Sequence, residues 1–94
     1  MKLVWTRTAN ADRKDIREYI AQNNLAAALA LDELLSEKAN HPVDHPGLGR
    51  PGRVTGTREL VAHQNYILIY DAVDDLVRIL RVLHAAKQWP PVRH

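Results

Sequence analysis

The residues of this sequence best suited to chemistry are one histidine and an arginine three positions before it. His84 follows an apolar run, and its imidazole can transfer protons at neutral pH. A lone histidine at a strand end is also commonly a structural hydrogen-bonding group, so both interpretations stay open. Arg81 interrupts the same apolar run, and its charge must reach solvent, a binding partner or an acid such as Glu59 or Asp71.

Other arginines surround a segment rich in proline and glycine. Arg50, Arg53 and Arg58 lie close together in the sequence, and only Glu59 opposes them. Guanidinium groups bind phosphate or carboxylate in bidentate fashion, so this group could hold an anionic partner or could form an ordinary solvated loop. Arg78 differs in strand parity from Arg81, so the two share no site unless a bulge intervenes.

Metal and cofactor chemistry is not indicated. The sequence contains no cysteine, and His41 and His45 flank a proline without a third ligand nearby. We therefore expect no metal and no cofactor. The acids Asp12, Asp15 and Glu18 are interleaved with basic residues, which predicts a solvated helix face.

The composition predicts one small globular domain spanning residues 1–94. The chain is 46% hydrophobic and 26% charged with a net charge of +2, and nine of its thirteen basic residues are arginine. The absence of cysteine fits a reducing compartment. No apolar run approaches the length of a membrane span, and no signal peptide is visible. We expect a cytoplasmic protein with no membrane partner.

The hydrophobic periodicity predicts an α+β fold. The predicted elements are a strand at 2–6, helices at about 9–22 and 25–39, a loop at 42–56, strands at 57–63, 66–72 and 76–83, and a C-terminal helical turn at 84–89. The two helices should form an antiparallel hairpin packed on a four-stranded, mostly antiparallel sheet. Thr8 and Asn10 are the expected N-caps of the first helix, and Trp5 and Tyr19 are expected in the core.

One face of this sheet is expected to stay uncovered. The run Tyr66–Tyr70 is apolar at every position, and the last strand carries apolar residues of both parities. A single helical hairpin covers only one face, so the other is either covered by the loop and the C-terminal turn or binds a partner. We favour a partner.

Several stretches together resemble the RelE/ParE superfamily of type II toxin–antitoxin toxins. They are the segment Gly49–Val54, the following Gly56–Leu60, the strand Tyr66–Tyr70, and above all Ile79–Ala86, which contains Arg-Val-Leu-His. The resemblance spans nearly the whole chain. It implies a bacterial toxin, encoded on a plasmid that it stabilises or on a chromosome, that inhibits growth when its unstable antitoxin is degraded. It also implies a ParD/RelB-like antitoxin that wraps the toxin.

The superfamily divides between two activities. RelE-like members cleave mRNA on the ribosome without a metal, and this branch would make His84, Lys87 and Arg81 the catalytic residues. ParE-like members inhibit DNA gyrase through protein contact. In either case the resemblance and the charge pattern give the candidate residues for binding target or antitoxin as Arg50, Arg53, Arg58, Tyr66, Tyr70, Arg78, Arg81 and Trp89.

The branch is indicated by the end of the last strand and by one position in the strand before it. The ending Arg-Val-Leu-His, followed by small residues, resembles the ParE-like branch. Many RelE-like nucleases carry an arginine in the strand equivalent to Tyr66–Tyr70, where this chain has Ile67. We therefore favour a ParE-like gyrase inhibitor, which is not an enzyme. The alternatives are a RelE-like mRNA interferase and a binding module without toxicity.

Overall fold

The computed structural model describes residues 1–86, and this part of the chain forms three helices and five strands. The elements are β1 (Lys2–Trp5), α1 (Arg7–Ala21), α2 (Leu25–Ala39), α3 (His41–Asp44), β2 (Arg50–Pro51), β3 (Arg58–His63), β4 (Tyr66–Val73) and β5 (Leu76–His84). The predicted C-terminal helical turn is not seen up to residue 86: His84 ends β5 and a turn follows. The rest of that segment, including Lys87 and Trp89, lies outside the described residues.

The predicted α+β architecture is confirmed, with one strand more than expected. The sheet order is β1-β5-β4-β3-β2, in which β1 is parallel to β5 and the other pairs are antiparallel. The added strand β2 comes from the predicted loop and pairs Arg50 with Glu59 and Pro51 with Arg58. Proline is tolerated there because β2 lies at the sheet edge.

Helix α1 begins earlier than predicted, because Thr6 caps it rather than Thr8 or Asn10. The Thr6 hydroxyl accepts a hydrogen bond from the Ala9 amide at 3.1 Å and donates to the Ile79 carbonyl at 2.9 Å. One side chain therefore ends β1, begins α1 and attaches this corner to β5. A cap that also bonds a residue 73 positions away has no local sequence signature.

The α1–α2 hairpin covers one face of the sheet, which we call the helix face. The core between this face and the hairpin includes Leu35, Leu68, Tyr70, Val77 and Ile79, all buried. Burying side chains of this size contributes about 1.5–3 kcal/mol each relative to exposure. The hairpin is held by Arg13, which donates to Asp32 at 3.1 Å and stacks over Trp5 at 4.3 Å. Tyr19, expected in the core, is instead 71% exposed.

The proline- and glycine-rich segment is ordered by Tyr70. The Tyr70 hydroxyl donates to the Pro46 carbonyl at 2.7 Å and accepts from the Gly49 amide at 2.9 Å. Gly49 has no room for a side chain, since an added Cβ would lie 2.8 Å from the Glu59 carbonyl oxygen. Arg58 donates to the Gly49 carbonyl at 2.7 Å and closes the same turn.

None of the helices in residues 1–86 has the length and apolar character needed to cross a bilayer.

Candidate functional site

The face of the sheet opposite the helices, which we call the outer face, holds a small cleft. Along β3, β4 and β5 the register pairs Glu59 with Ile69, and Ile67 with both Val61 and Leu83. The cleft has a volume of about 50 Å³ and is lined by Arg50, Arg53, Glu59, Ile67, Ile69, Leu83, His84 and Ala85. Two predicted binding arginines and His84 are thus brought together there.

The outer face is less open than predicted. Ile69 is only 1% exposed and Leu83 only 8%, so the middle of this face is covered. Val61 is 58% exposed, which leaves apolar surface towards one end. The expected docking surface is therefore reduced to the cleft and to the area around Val61.

Glu59 is the acid of the outer-face cleft. Its side chain is 7% exposed, and its two oxygens accept from the Arg50 guanidinium at 3.0 Å and from the Arg53 amide at 3.4 Å. A buried carboxylate needs such donors to offset desolvation. These two contacts hold the Glu59 carboxylate against the Arg50–Arg53 segment.

The three loop arginines have different roles in the structure. Arg50 neutralises Glu59, and Arg58 bonds the backbone of Gly49. The Arg53 side chain is exposed and has no ion-pair partner within residues 1–86. Of the three, Arg53 is the cation best placed to meet an anionic partner.

His84 is exposed at the end of β5, and its tautomer is fixed by a local hydrogen bond. The Ala86 amide donates to Nδ1 of His84 at 3.1 Å, so in the neutral ring the proton resides on Nε2. In this tautomer Nε2 is a hydrogen-bond donor. His84 also contacts Tyr66 edge-to-face, with ring centroids 5.4 Å apart, and Tyr66 in turn lies 6.0 Å from His63.

Arg81 does not pair with Glu59 or Asp71, as the sequence suggested, but with Asp12. Its guanidinium donates to both carboxylate oxygens of Asp12, at 2.8 and 3.2 Å, and the Val82 amide donates to Asp12 at 2.9 Å. The hydrogen bonds that Arg81 donates to Asp12 raise the pKa of Arg81, while partial burial acts in the opposite direction. The prediction that Asp12 lies on a solvated helix face was wrong, because this carboxylate is turned towards β5.

A β-bulge separates the two strand arginines. Tyr70 pairs with Ile79 but Ile69 pairs with Arg81, so Leu80 is the extra residue of β5. Arg78 forms a bidentate pair with Asp71, and this bond raises the pKa of Arg78. The bulge therefore brings Arg78 and Arg81 to the same parity, opposite Asp71 and Ile69, but each arginine forms its own ion pair.

A larger groove lies between α1 and the end of β5. It measures about 380 Å³ and is lined by Asp12, Asp15, Ile16, Tyr19, Tyr66, Arg81, Val82, Leu83 and His84. We call it the α1–β5 groove. Leu83 and His84 line both this groove and the outer-face cleft, so the end of β5 lies between the two cavities.

Among the predicted binding residues, the two tyrosines differ. Tyr66 is half-buried and borders the α1–β5 groove. Tyr70 is fully buried with its hydroxyl bonded twice, so in this structure it organises the 46–49 turn and offers no surface to a partner. No cluster of three or more histidines and acids suited to a metal occurs within residues 1–86.

Sequence reasoning missed Asp12 and undervalued Glu59. Glu59 lies at a buried position of β3, and an acid within such a strand was the only feature of the sequence that singled it out. Asp12 looks like any surface acid of α1, because its partners lie 69 and 70 residues away.

Comparison with known proteins agrees with this fold over nearly the whole chain. Residues 3–89 match the model of the ParE toxin of the type II toxin–antitoxin system parDE. The protein Y4kP of Sinorhizobium fredii, described as a toxin, is 37% identical over 92 residues, covering 97% of this chain and 95% of its own. The toxin RelE2 of Caulobacter vibrioides is 38% identical over 86 residues, covering 92% and 97%.

Solved structures give the same picture. A chain of the chromosomal ParDE system from P. aeruginosa superposes with a TM-score of 0.78 at 28% identity, covering 89% of this chain and 95% of that one. A mutant of the E. coli protein YafQ shares the fold at 22% identity with a TM-score of 0.51, over 89% and 92% of the two chains. With its helical hairpin on a β1-β5-β4-β3-β2 sheet and a family match that runs almost from end to end, the chain belongs to the ParE toxin family of type II toxin–antitoxin systems.

Proposed function

We propose that this toxin inhibits growth by contacting DNA gyrase, as ParE-like toxins do, and that it does not cleave RNA. The observation that carries the proposal is the apolar centre of the outer-face cleft. Ile67 lies between Val61 and Leu83 in the sheet, in the strand where many RelE-like nucleases carry an arginine. A phosphodiester transition state gathers negative charge, and an isoleucine cannot stabilise it.

Two further features support a non-enzymatic mode. Glu59 bonds Arg50 and the Arg53 amide, and Nδ1 of His84 bonds the Ala86 amide. Both side chains are thus engaged by contacts within the toxin itself. The stronger structural similarity to the P. aeruginosa ParDE chain than to YafQ supports the same choice.

Arg53 is the described residue that we assign to target contact. It is exposed beside the cleft, and its guanidinium is available for an acidic surface of the target. Trp89 and Lys87 remain predicted contributors beyond the described part of the chain. The protein would act in the cytoplasm, where gyrase is found.

The test is a DNA supercoiling assay with purified gyrase and micromolar toxin. The proposal expects inhibition that Arg53→Glu weakens at least tenfold. Arg7→Glu is the matched control, because Arg7 is also an exposed arginine but lies on α1, away from the cleft. A toxin that arrests growth yet leaves supercoiling intact would refute gyrase as the target.

A RelE-like mRNA interferase is the second candidate, because Glu59, His84, Arg50 and Arg53 do meet in one cleft. This set contains an acid, an imidazole and two cations, which is the chemistry that RNA cleavage requires. Primer extension on ribosome-bound mRNA would show cuts that Glu59→Gln and His84→Ala abolish. Growth arrest that survives both substitutions excludes this candidate. A binding module without toxicity has the least support, since the chain belongs to a toxin family.

A further inference from the structure

We propose that His63 and His84 form a pH-sensitive clasp at one end of the sheet, which holds two turns together when both imidazoles are neutral and opens when they are protonated. The turns are residues 64–65, between β3 and β4, and residues 85–86, after β5. The inference does not depend on whether the target is gyrase or RNA.

The two histidines make the same local hydrogen bond. Nδ1 of His63 accepts from the Asn65 amide at 3.1 Å, and Nδ1 of His84 accepts from the Ala86 amide at 3.1 Å. Each bond joins a side chain to the backbone amide two residues later, which is the bond that asparagine and aspartate make in an Asx turn. Here an imidazole nitrogen takes the place of the side-chain oxygen. Since only an unprotonated nitrogen accepts a hydrogen bond, both bonds require Nδ1 to carry no proton.

A backbone hydrogen bond links the two turns. The Ala85 amide donates to the Asn65 carbonyl at 2.8 Å. The Asn65 amide is held by His63 and its carbonyl by Ala85, so the two histidines act on one connected set of backbone groups. Tyr66 lies between the two rings, paired with His63 on one side and His84 on the other, with ring centroids 6.0 and 5.4 Å away. The register of the sheet therefore places both histidines in one row.

Protonation removes the acceptor from each turn. A charged imidazole carries a proton on both nitrogens, so Nδ1 would then present a donor to an amide that is itself a donor. Imidazole is the side chain whose charge ordinarily changes between about pH 5 and pH 8. The clasp is therefore closed at the upper end of this range and opens as the pH falls.

His84 has charged or titratable groups on both of its sides. In the α1–β5 groove and the outer-face cleft these are Asp12, Asp15, Tyr66, Arg81, Arg50, Arg53 and Glu59. The carboxylates of Asp12 and Glu59 are engaged by Arg81 and Arg50. Protonation of His84 adds a positive charge to the border of both cavities and, at the same time, frees the Ala86 amide.

His63 lies in a different environment. It is half-buried and borders a cavity of about 280 Å³, whose other lining residues, all on α2, are Ala27, Ala30, Leu31 and Leu34. None of these four carries a charge, and the titratable side chain in ring contact with His63 is Tyr66. A proton on His63 therefore meets no acid among the residues that line this cavity.

NMR of the full-length toxin tests the clasp without any substitution. At about pH 8 the imidazole ¹⁵N shifts of His63 and His84 should show an unprotonated Nδ1, whereas His45, whose ring has no hydrogen bond within residues 1–86, should show a mixture of tautomers. Between about pH 8 and pH 5, protection of the Asn65 and Ala86 amides against hydrogen exchange, relative to an unstructured amide at the same pH, should fall about fivefold. This is the size expected for one lost hydrogen bond. Protection that stays constant would overturn the proposal.

Substitution by asparagine separates the hydrogen bond from the titration. His84→Asn keeps an oxygen that accepts from the Ala86 amide in an Asx turn but does not titrate in this pH range. In this variant the protection of Ala86 should change less than twofold between about pH 8 and pH 5, whereas His84→Ala should lack the protection at both. His45→Asn is the matched control and should leave the response unchanged. An Ala86 amide that keeps its full pH dependence in His84→Asn would assign the titration to another group and refute the proposal.

The coupling between the turns is tested from the other histidine. His63→Ala removes the acceptor of the Asn65 amide, and through the Asn65 carbonyl it should lower the protection of the Ala85 amide at least threefold at about pH 8. His63→Asn should restore that protection. An Ala85 amide that is indifferent to residue 63 would show two independent turns, which contradicts the clasp. The supercoiling assay has no bearing on these readouts, so this proposal and the gyrase proposal fail separately.

Discussion

The contact between Asp12 and Arg81 should be one of the strongest polar interactions in this fold, and a double-mutant cycle measures it. Asp12 accepts from Arg81 at 2.8 and 3.2 Å and from the Val82 amide at 2.9 Å. The side chains of Arg81 and Asp12 are 28% and 15% exposed, so solvent screens them only in part. A charge-assisted hydrogen bond under these conditions contributes about 1.5–3 kcal/mol net.

We expect a coupling free energy of about 1–3 kcal/mol between Asp12→Ala and Arg81→Ala in urea unfolding. Asp12→Ala should also leave the Val82 amide without its acceptor, so its single effect should exceed the coupling free energy. The matched control is the pair Lys14–Glu18, which is 3.9 Å apart with side chains 65% and 63% exposed. Its coupling should be about 0.3 kcal/mol. If the two cycles give the same value, the reasoning that partial burial strengthens the Asp12–Arg81 pair is refuted.

The pH dependence provides a further check on this pair. Hydrogen bonding to Asp12 raises the pKa of Arg81 above an ordinary value that is already very high. A group whose pKa is raised on folding stabilises the protein fully below its unfolded-state pKa, and this contribution is lost only as pH rises through the folded-state pKa. Both values lie far above neutrality, so the coupling should be constant between about pH 7 and pH 9. A decrease over that range would contradict the assignment of Arg81 as the permanently charged partner.

Three substitutions test how the 46–49 turn and the start of α1 are organised. In urea unfolding, Tyr70→Phe should lower the free energy of unfolding by about 2–3 kcal/mol, because two buried backbone groups lose their hydrogen-bond partner. Tyr66→Phe is the control, and it should cost less than about 0.5 kcal/mol because the Tyr66 hydroxyl has no described hydrogen bond. Gly49→Ala should cost about 1–3 kcal/mol, since its Cβ would lie 2.8 Å from a backbone oxygen, and Gly47→Ala, with nothing within 4 Å, should be close to neutral. Thr6→Ala should lower the melting temperature by roughly 5–10 °C through loss of the α1 cap and of the bond to β5.

The elements could be predicted from sequence because their signals are local. Alternation identified β3, β4 and β5 to within a residue or two, and the turn at Asp74 agrees with its positive φ of 55°. Strand β2 was not predictable. It consists of only Arg50 and Pro51 between two glycines, which is too short to show a periodicity, and it pairs only when β3 is in place.

The site was predicted less completely, for a physical reason. His84, Arg50 and Arg53 were identified by residue type, and the structure does bring them into one cleft. Ion-pair partners depend on the tertiary fold, and sequence proximity favoured Glu59 or Asp71 for Arg81 over the distant Asp12. The bulge at Leu80 also changes the expected parity, since Arg78 lies opposite Asp71 and Arg81 opposite Ile69, which are two residues apart in β4.

The end of β5 lies between the outer-face cleft and the α1–β5 groove. Leu83 and His84 border both the α1–β5 groove and the outer-face cleft, which lie on either side of the end of β5. A partner bound in either cavity therefore contacts Leu83 and His84, so a substitution of His84 tests both surfaces at once, whereas a substitution of Arg53 tests only the outer-face cleft.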